Sequence, residues 1–248
     1  GYCLACVGGP VLAAVAVAVL APAGADLAGR EIRYVTAAKK LLAGEVGIDM
    51  LAGPSELTIL ADESADAAIV AADLLAQAEH DDDAVPILVT TSESLASRVE
   101  QELESQLATL PTAATARSAL ANGAIVFASS ASEAAEVCNR IAPEHLELIV
   151  RDESSVLPLL RHYGAIFVGQ PSAEVFGDYG VGPNHTLPTG GTARFTGGLS
   201  VFSFLRVRTC MKLDDSASLA SVIGDSAQLG RIEGLEGHAR AAERRLQR

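Results

Sequence analysis

The chain has no tryptophan, and aromatic residues make up only 4% of its 248 positions. Its core must be built from Ala, Val, Leu and Ile, which suits buried parallel strands covered by helices. Cysteine is scarce. Cys3, Cys6, Cys138 and Cys210 are too few for a disulfide scaffold of this length, which predicts a reducing, cytoplasmic setting. Cys3-x-x-Cys6 is open to three readings: half a zinc site, a redox pair, or small residues in an apolar segment. No second C-x-x-C completes a zinc knuckle, and no thioredoxin-like pattern follows. Basic charge is also short, with 18 Lys and Arg against 31 Asp and Glu and a net charge of −13. Such a surface repels phosphate backbones and argues against a nucleic-acid partner. Arg244, Arg245 and Arg248 read instead as favourable charges at a helix C-terminus. The sequence carries no H-E-x-x-H, P-loop, G-x-G-x-x-G or G-x-S-x-G.

The first 25 residues carry no charge, and Val11 to Ala21 is wholly apolar. No basic residue precedes this run, as a signal sequence requires, and it is too short to span a bilayer. No membrane partner is expected. A chain that opens at Gly1 in such a stretch reads as part of a larger protein.

From Arg33 onward, strand and helix patterns alternate. Helices are expected over 34–42, 65–79, 92–110, 131–141 and 154–160. Strands are expected over 56–61, 86–90, 124–128, 146–150 and 165–168. This order predicts an α/β fold: a Rossmann-like, mostly parallel sheet flanked by helices. The pattern breaks over 169–198, which is rich in Gly, Pro, Asn and Thr. A loop of that length is usually functional. Short strand stretches over 201–213 and helices over 216–223 and 231–247 make a small C-terminal helical tail. It has too little apolar content for a core of its own. The expected division is 1–50 as a remnant of one domain, 51–199 as the main Rossmann-like domain and 200–248 as the tail.

Several residues suit chemistry. Glu144 and His145 follow Pro143 and precede an apolar run. Proline pushes its predecessor towards extended backbone, so the pair is expected at the lip of a strand, where open α/β sheets keep their chemistry. Glu and His are common general acids and bases. Gln77 and His80, three apart near a helix end, share one face and could reach one ion; they also fit a plain polar helix terminus. Asp81, Asp82 and Asp83 after them are expected in solvent. Asp178 and His185 lie among glycines that let backbone approach a ligand, or simply form an Asp turn. Glu233 and His238 are five apart, about 500° on one helix, so a single helix would not aim both at one point. Together these are N and O ligands without Cys, a set that suits zinc or another divalent first-row metal.

Four segments in order resemble histidinol dehydrogenase: Gly47-Ile48-Asp49-Met50 with Ala52-Gly53-Pro54-Ser55-Glu56; Gln77-Ala78-Glu79-His80; Ala142-Pro143-Glu144-His145-Leu146-Glu147; and Gly182-Pro183-Asn184-His185-Thr186-Leu187-Pro188-Thr189. The resemblance runs from about Arg33 to the C-terminus. It implies zinc-dependent oxidation of L-histidinol to L-histidine with two NAD molecules. It implies Gln77, His80 and Asp178 as zinc ligands, with His238 as the fourth, delivered by the other subunit of a homodimer. Ser55 and Glu233 become substrate contacts, as do the metal ligands and His145, and His185 becomes a polar group lining the pocket. Glu144 becomes the activator of water and His145 the acceptor of the alcohol proton. The family is longer on the N-terminal side, so residues 1–50 are expected to be what is left of a nucleotide-binding domain. Where the family has Gly-Pro-Gly-Asn, this chain has Gly29-Arg30-Glu31-Ile32, and isoleucine cannot hydrogen-bond NAD. Two alternatives stand beside the enzyme: a zinc alcohol dehydrogenase for another small diol, and a zinc-binding, dimerising remnant without dehydrogenase activity.

Overall fold

The structure is a computed structural model describing residues 3–6, 26–29, 33–213 and 219–247. Gly8-Gly9, the apolar run 11–21 and Ile32 lie outside the described residues. The chain divides into two compact units, Gly1–Leu205 and Arg206–Arg248.

The first unit contains a short parallel sheet of β1 (Cys3–Cys6), β2 (Asp26–Gly29) and β3 (Gly47–Ile48). Helix α1 (Arg33–Leu42) lies between β2 and β3. Lys39 on α1 forms a 2.7 Å ion pair with Asp49, both side chains almost fully buried. This pair ties α1 to the segment that leads into the main sheet.

The main sheet is five-stranded and wholly parallel, in the order β6-β5-β4-β7-β8. Its members are β4 (Glu56–Ala61), β5 (Val85–Thr90), β6 (Ala124–Phe127), β7 (His145–Ile149) and β8 (Ala165–Val168). Between them run α2 (Ala67–Ala78), α3 (Glu93–Leu107), α4 (Ala113–Leu120), α5 (Ala131–Ile141) and the short α6 (Glu153–Val156). The expected α/β class and its five strands are what residues 56–168 form; the short β1–β3 sheet before them was not expected. Alternation within strands divides the core into two faces. Leu57, Ile59, Ala61 and Ile149 pack with Val70, Ala71 and Leu74 of α2 and Leu95 and Val99 of α3. Leu60, Leu146 and Leu148 pack with Ala134, Ala135 and Cys138 of α5. His145 and Glu147 therefore share the face of Ile149, the α2 side. Helix starts are fixed by side chains: Asp66 accepts from Ala68 N, Ser92 from Leu95 N and Ser130 from Glu133 N.

The structure departs from expectation in four places. Helix α4 begins just beyond Pro111, where a helix end was expected; it is Ala-rich and buries only Ala116 and Ala119. Ala142, before Pro143, is left-handed (φ 51°, ψ 60°) rather than extended. Its N–H bonds to Cys138 O at 2.8 Å, closing α5 with a turn usually made by glycine. Residues 201–213 form no strand: Val201–Phe204 is a 3-10 turn and the rest is irregular. In the second unit, one helix, α8 (Leu219–Ile232), is followed by α9 (Glu236–Glu243), so the break falls at Gly234. Gly234 has φ +76°; its N–H bonds to Arg231 O and that of Leu235 to Gly230 O. That is a Schellman motif, which needs a left-handed residue and ends the helix there. Between Val175–Asp178, here α7, and α8 no other α-helix is present among the described residues. No described helix is long and apolar enough to cross a membrane.

Leu148 is fully buried on the α5 face. Leu148→Ala is expected to cost about 2–5 kcal/mol of unfolding free energy, and Ser130→Ala, which removes a cap, about 1 kcal/mol. Urea unfolding of both variants checks this; equal losses would contradict the packing described.

Candidate active site

The site forms at the amino ends of β4 and β7. These strands are neighbours, with Leu57 opposite His145. The residues leading into them, Ser55-Glu56 and Glu144-His145, therefore meet. Ser55 Oγ donates to Glu144 Oε2 at 2.7 Å, and Glu56 N donates to the same oxygen at 3.1 Å. The loop after β8 folds back onto this corner: Gly53 N donates to Thr189 Oγ1, and Gly190 N donates to Glu56 Oε1 at 2.9 Å. This is the opposite end from the carboxyl-edge crevice expected for open α/β sheets. That crevice exists, at about 530 Å³, lined by Asp62, Glu63, Ser64, Thr91, Ser92 and Arg151. Its lining mixes two carboxylates with Arg151 and Ser92, the N-cap of α3.

Glu144 and His145 are both buried. Burial raises the Glu144 carboxyl; the Ser55 and Glu56 hydrogen bonds oppose it only in part, and its pKa reaches about 7. Burial pushes His145 the other way, to about 4, so it is neutral at pH 7. His145 Nδ1 lies 3.0 Å from Glu56 O. A carbonyl only accepts, so Nδ1 carries the proton and Nε2 presents a lone pair. His145 Nε2 stands 2.8 Å from His185 Nε2, whose hydrogen therefore points at that lone pair. The distance is a hydrogen bond; two nitrogens bound to one zinc at 2.0–2.1 Å stand about 3.3 Å apart at tetrahedral angles.

His185 is held above its ordinary pKa, chiefly by the Glu174 carboxylate beside it and also by Asp178. Glu174 is almost fully buried. Its Oε1 lies 3.6 Å from His145 Nε2 and 3.5 Å from His185 Nε2. Burial alone would raise Glu174, but His185 and the other two imidazoles outweigh it and hold the carboxyl below its usual range. Asp178, at the end of α7, lies 3.5 Å from His185 Nε2 and 3.9 Å from His80 Nε2. His80, Glu174 and Asp178 present ligand atoms all within 4.8 Å of one another.

Gln77 and His80 stand at the end of α2. Gln77 is fully buried, yet neither its amide nitrogen nor its oxygen has a hydrogen-bond partner among the described residues. Such a group costs on the order of 1–3 kcal/mol. The imidazole and two carboxylates of His80, Glu174 and Asp178 suit a divalent first-row cation, and Gln77, three residues before His80, offers an unpartnered buried amide oxygen. The residues present thus suit a zinc-type metal. Asp81, Asp82 and Asp83 are solvent-exposed.

The first unit thus brings together Ser55, Glu144, His145, His185, Asp178 and His80; Gln77 lies in the last turn of α2 and His80 just beyond its C-cap. Glu233 and His238 belong to the second unit. They do not share a helix: Glu233 follows α8 and His238 lies in α9, across the Gly234 turn. The five-residue helical argument does not apply to them. Sequence reasoning missed Glu174, Glu56, Asp73 and the role of Glu147. Two signals were available: Glu147 is two residues beyond His145 on a strand, and Asp73 is four before Gln77 on a helix, so each shares its partner's face.

The histidinol dehydrogenase family profile matches residues 9–246. Histidinol dehydrogenase 2 of Nostoc sp. is 50% identical over 215 residues, 86% of this chain and 49% of the relative. Histidinol dehydrogenase of Halalkalibacterium halodurans is 47% identical over 227 residues, 91% of this chain and 53% of the relative. The crystal structure of histidinol dehydrogenase from Elizabethkingia anophelis superposes with a TM-score of 0.82 at 36% identity, covering 90% of this chain and 51% of that one. The chain spans about half the length of the curated relatives it matches.

Glu144 has a raised folded pKa, so its folded state holds a proton that the unfolded state has released. Stability from this group falls as pH rises from about 4.5 through about 7. His145 has a lowered folded pKa, and its contribution falls as pH drops from 6.5 through about 4. The two opposed effects overlap, so a variant is needed to separate them. Glu144→Gln should gain on the wild type by about 2–3 kcal/mol between pH 4.5 and pH 7, read by denaturant unfolding. A difference independent of pH would contradict the environment described for Glu144.

Proposed function

This chain belongs to the histidinol dehydrogenase family, and on that premise we propose that it carries the metal-binding and acid–base half of an oxidoreductase that converts L-histidinol to L-histidine through the aldehyde. The reading rests on one observation: a neutral imidazole with its Nε2 lone pair turned inward and a near-neutral carboxyl stand at the sheet end that also gathers His80, Glu174 and Asp178.

In this proposal Gln77, His80 and Asp178 hold zinc, and His238 from a second copy completes the set. Zinc would serve as a template for the substrate's imidazole and amine and polarise groups nearby. NAD would accept hydride twice. His145 takes the alcohol proton at Nε2 while Glu56 O keeps Nδ1 protonated. Glu144, in its carboxylate form, takes a proton from water as that water adds to the aldehyde; a carboxyl poised near pH 7 suits this work. Ser55 orients Glu144 and contacts substrate, and Glu233 faces the substrate ammonium. His185 lines the pocket. A homodimer accords with the second unit, where Leu229, Ile232 and Met211 are all more than half exposed.

The departure at Gly29–Ile32 favours a second reading, a zinc-binding remnant that turns over poorly. Zinc titration and NADH formation from histidinol separate them. Stoichiometric zinc binding, weakened about 10-fold or more by Asp178→Asn or His80→Asn, is the expected result; NADH formation from histidinol then supports the first reading and its absence the second. Robust turnover would show a working cofactor half. Zinc binding indifferent to both substitutions would overturn the metal assignment.

A further inference from the structure

Behind the site lies a buried carboxyl pair that the proposed chemistry does not use. Glu147, on β7, is 1% exposed. It shares its sheet face with His145 two residues before. Its Oε1 accepts from the backbone N–H of Glu174 at 2.8 Å, a fully buried hydrogen bond. That N–H begins the turn carrying both Glu174 and Asp178: Gly177 N and Tyr179 N bond back to Glu174 O and Val175 O. Glu147 is thus the point where the central sheet grips the segment that presents two of the acidic groups.

The Glu147 side chain also interacts with that of Asp73 on α2, four residues before Gln77 and on its face. Counted as two carboxylates, the pair leaves Glu147 Oε2 without a donor. A proton on Glu147 resolves this: Oε2–H donates to Asp73 while Oε1 accepts from Glu174. Burial first, and the negative Asp73 beside it, hold the Glu147 carboxyl well above the usual range. Neutral, it crosslinks α2, which bears Gln77 and leads into His80, to the turn bearing Glu174 and Asp178, without adding charge next to them.

We infer that Glu147 is a positioning residue: through Asp73 and the Glu174 amide it fixes α2 and the Glu174–Asp178 turn at the spacing the acid–base and ligand groups require. This deepens the proposed metal site and rests on it for its purpose, though the crosslink itself is independent of any ion.

The test compares Glu147→Gln with Glu147→Met. Glutamine reproduces both bonds, with Oε1 accepting and Nε2 donating, whereas methionine fills the space and makes neither. In the metal-free chain, hydrogen–deuterium exchange at the Glu174 amide, taken relative to the Leu60 and Leu148 amides, should quicken about 10-fold in the Met variant and stay near wild type in the Gln variant. The ratio discounts general loss of stability, which would move all three amides together. Should the Met variant not fold, Glu147→Asp, one methylene short, is expected to show the same quickening. Zinc affinity, read by titration, should fall about 10- to 100-fold in the Met or Asp variant and recover in the Gln variant. Unchanged relative exchange, or a Gln variant as damaged as the Met variant, overturns the inference. A wild-type chain that binds no zinc while the exchange pattern holds would sink the metal reading and leave the crosslink standing.

Discussion

The site depends on the parallel pairing of β4 with β7. These strands are 88 residues apart in sequence, yet the register of Leu57 with His145 sets their entry segments side by side. Ser55 and Glu56 come to Glu144 and His145 by that pairing alone. The Glu56 carbonyl then fixes the His145 tautomer, and the Ser55 hydroxyl fixes the Glu144 carboxylate. Slip the register by one residue and His145 turns to the α5 face, away from α2 and its polar ridge. The buried alternation of Leu57, Ile59 and Ala61 against Leu146 and Leu148 forbids that slip, so core packing is what holds the chemistry in place.

A second constraint is dielectric. Glu144, Glu147, Glu174 and His145 all lie out of solvent, where each charge is expensive unless compensated. The structure answers each differently. Glu144 sits near neutrality, His145 stays uncharged, Glu147 is held protonated against Asp73, and Glu174 stays ionised because imidazoles face it. Neighbouring ionisable groups pushed in opposite directions are the usual mark of acid–base assignments. Here burial drives Glu144 and His145 apart by penalising the charge on each, and partners from α2, β4 and the long loop after β8 set how far each group moves.

Much of this was legible in the chain. The strands 56–61 and 165–168 and the helix 131–141 appear where apolar alternation, caps and breakers placed them, because each has a period and a boundary residue. The Ala-rich α4 was hidden because it buries only two alanines and shows no apolar stripe. Ala142 was misjudged because the preference for extended backbone before proline lost to the helix-ending bond to Cys138. The sheet end used for chemistry could not be read from periodicity, which is blind to direction. Glu174 was missed because it sits in a Gly- and Pro-rich loop, where no pattern marks a side chain as buried.

The account's central claim is that α2 and the loop after β8 close on one cation beside the Glu144–His145 pair. Anomalous scattering at the zinc edge from crystals grown with zinc tests it most directly. The claim expects one peak about 2.0–2.2 Å from His80 nitrogen and an Asp178 oxygen, with the Gln77 amide oxygen turned to it. A peak elsewhere, or none near these three side chains in well-ordered crystals, would contradict it.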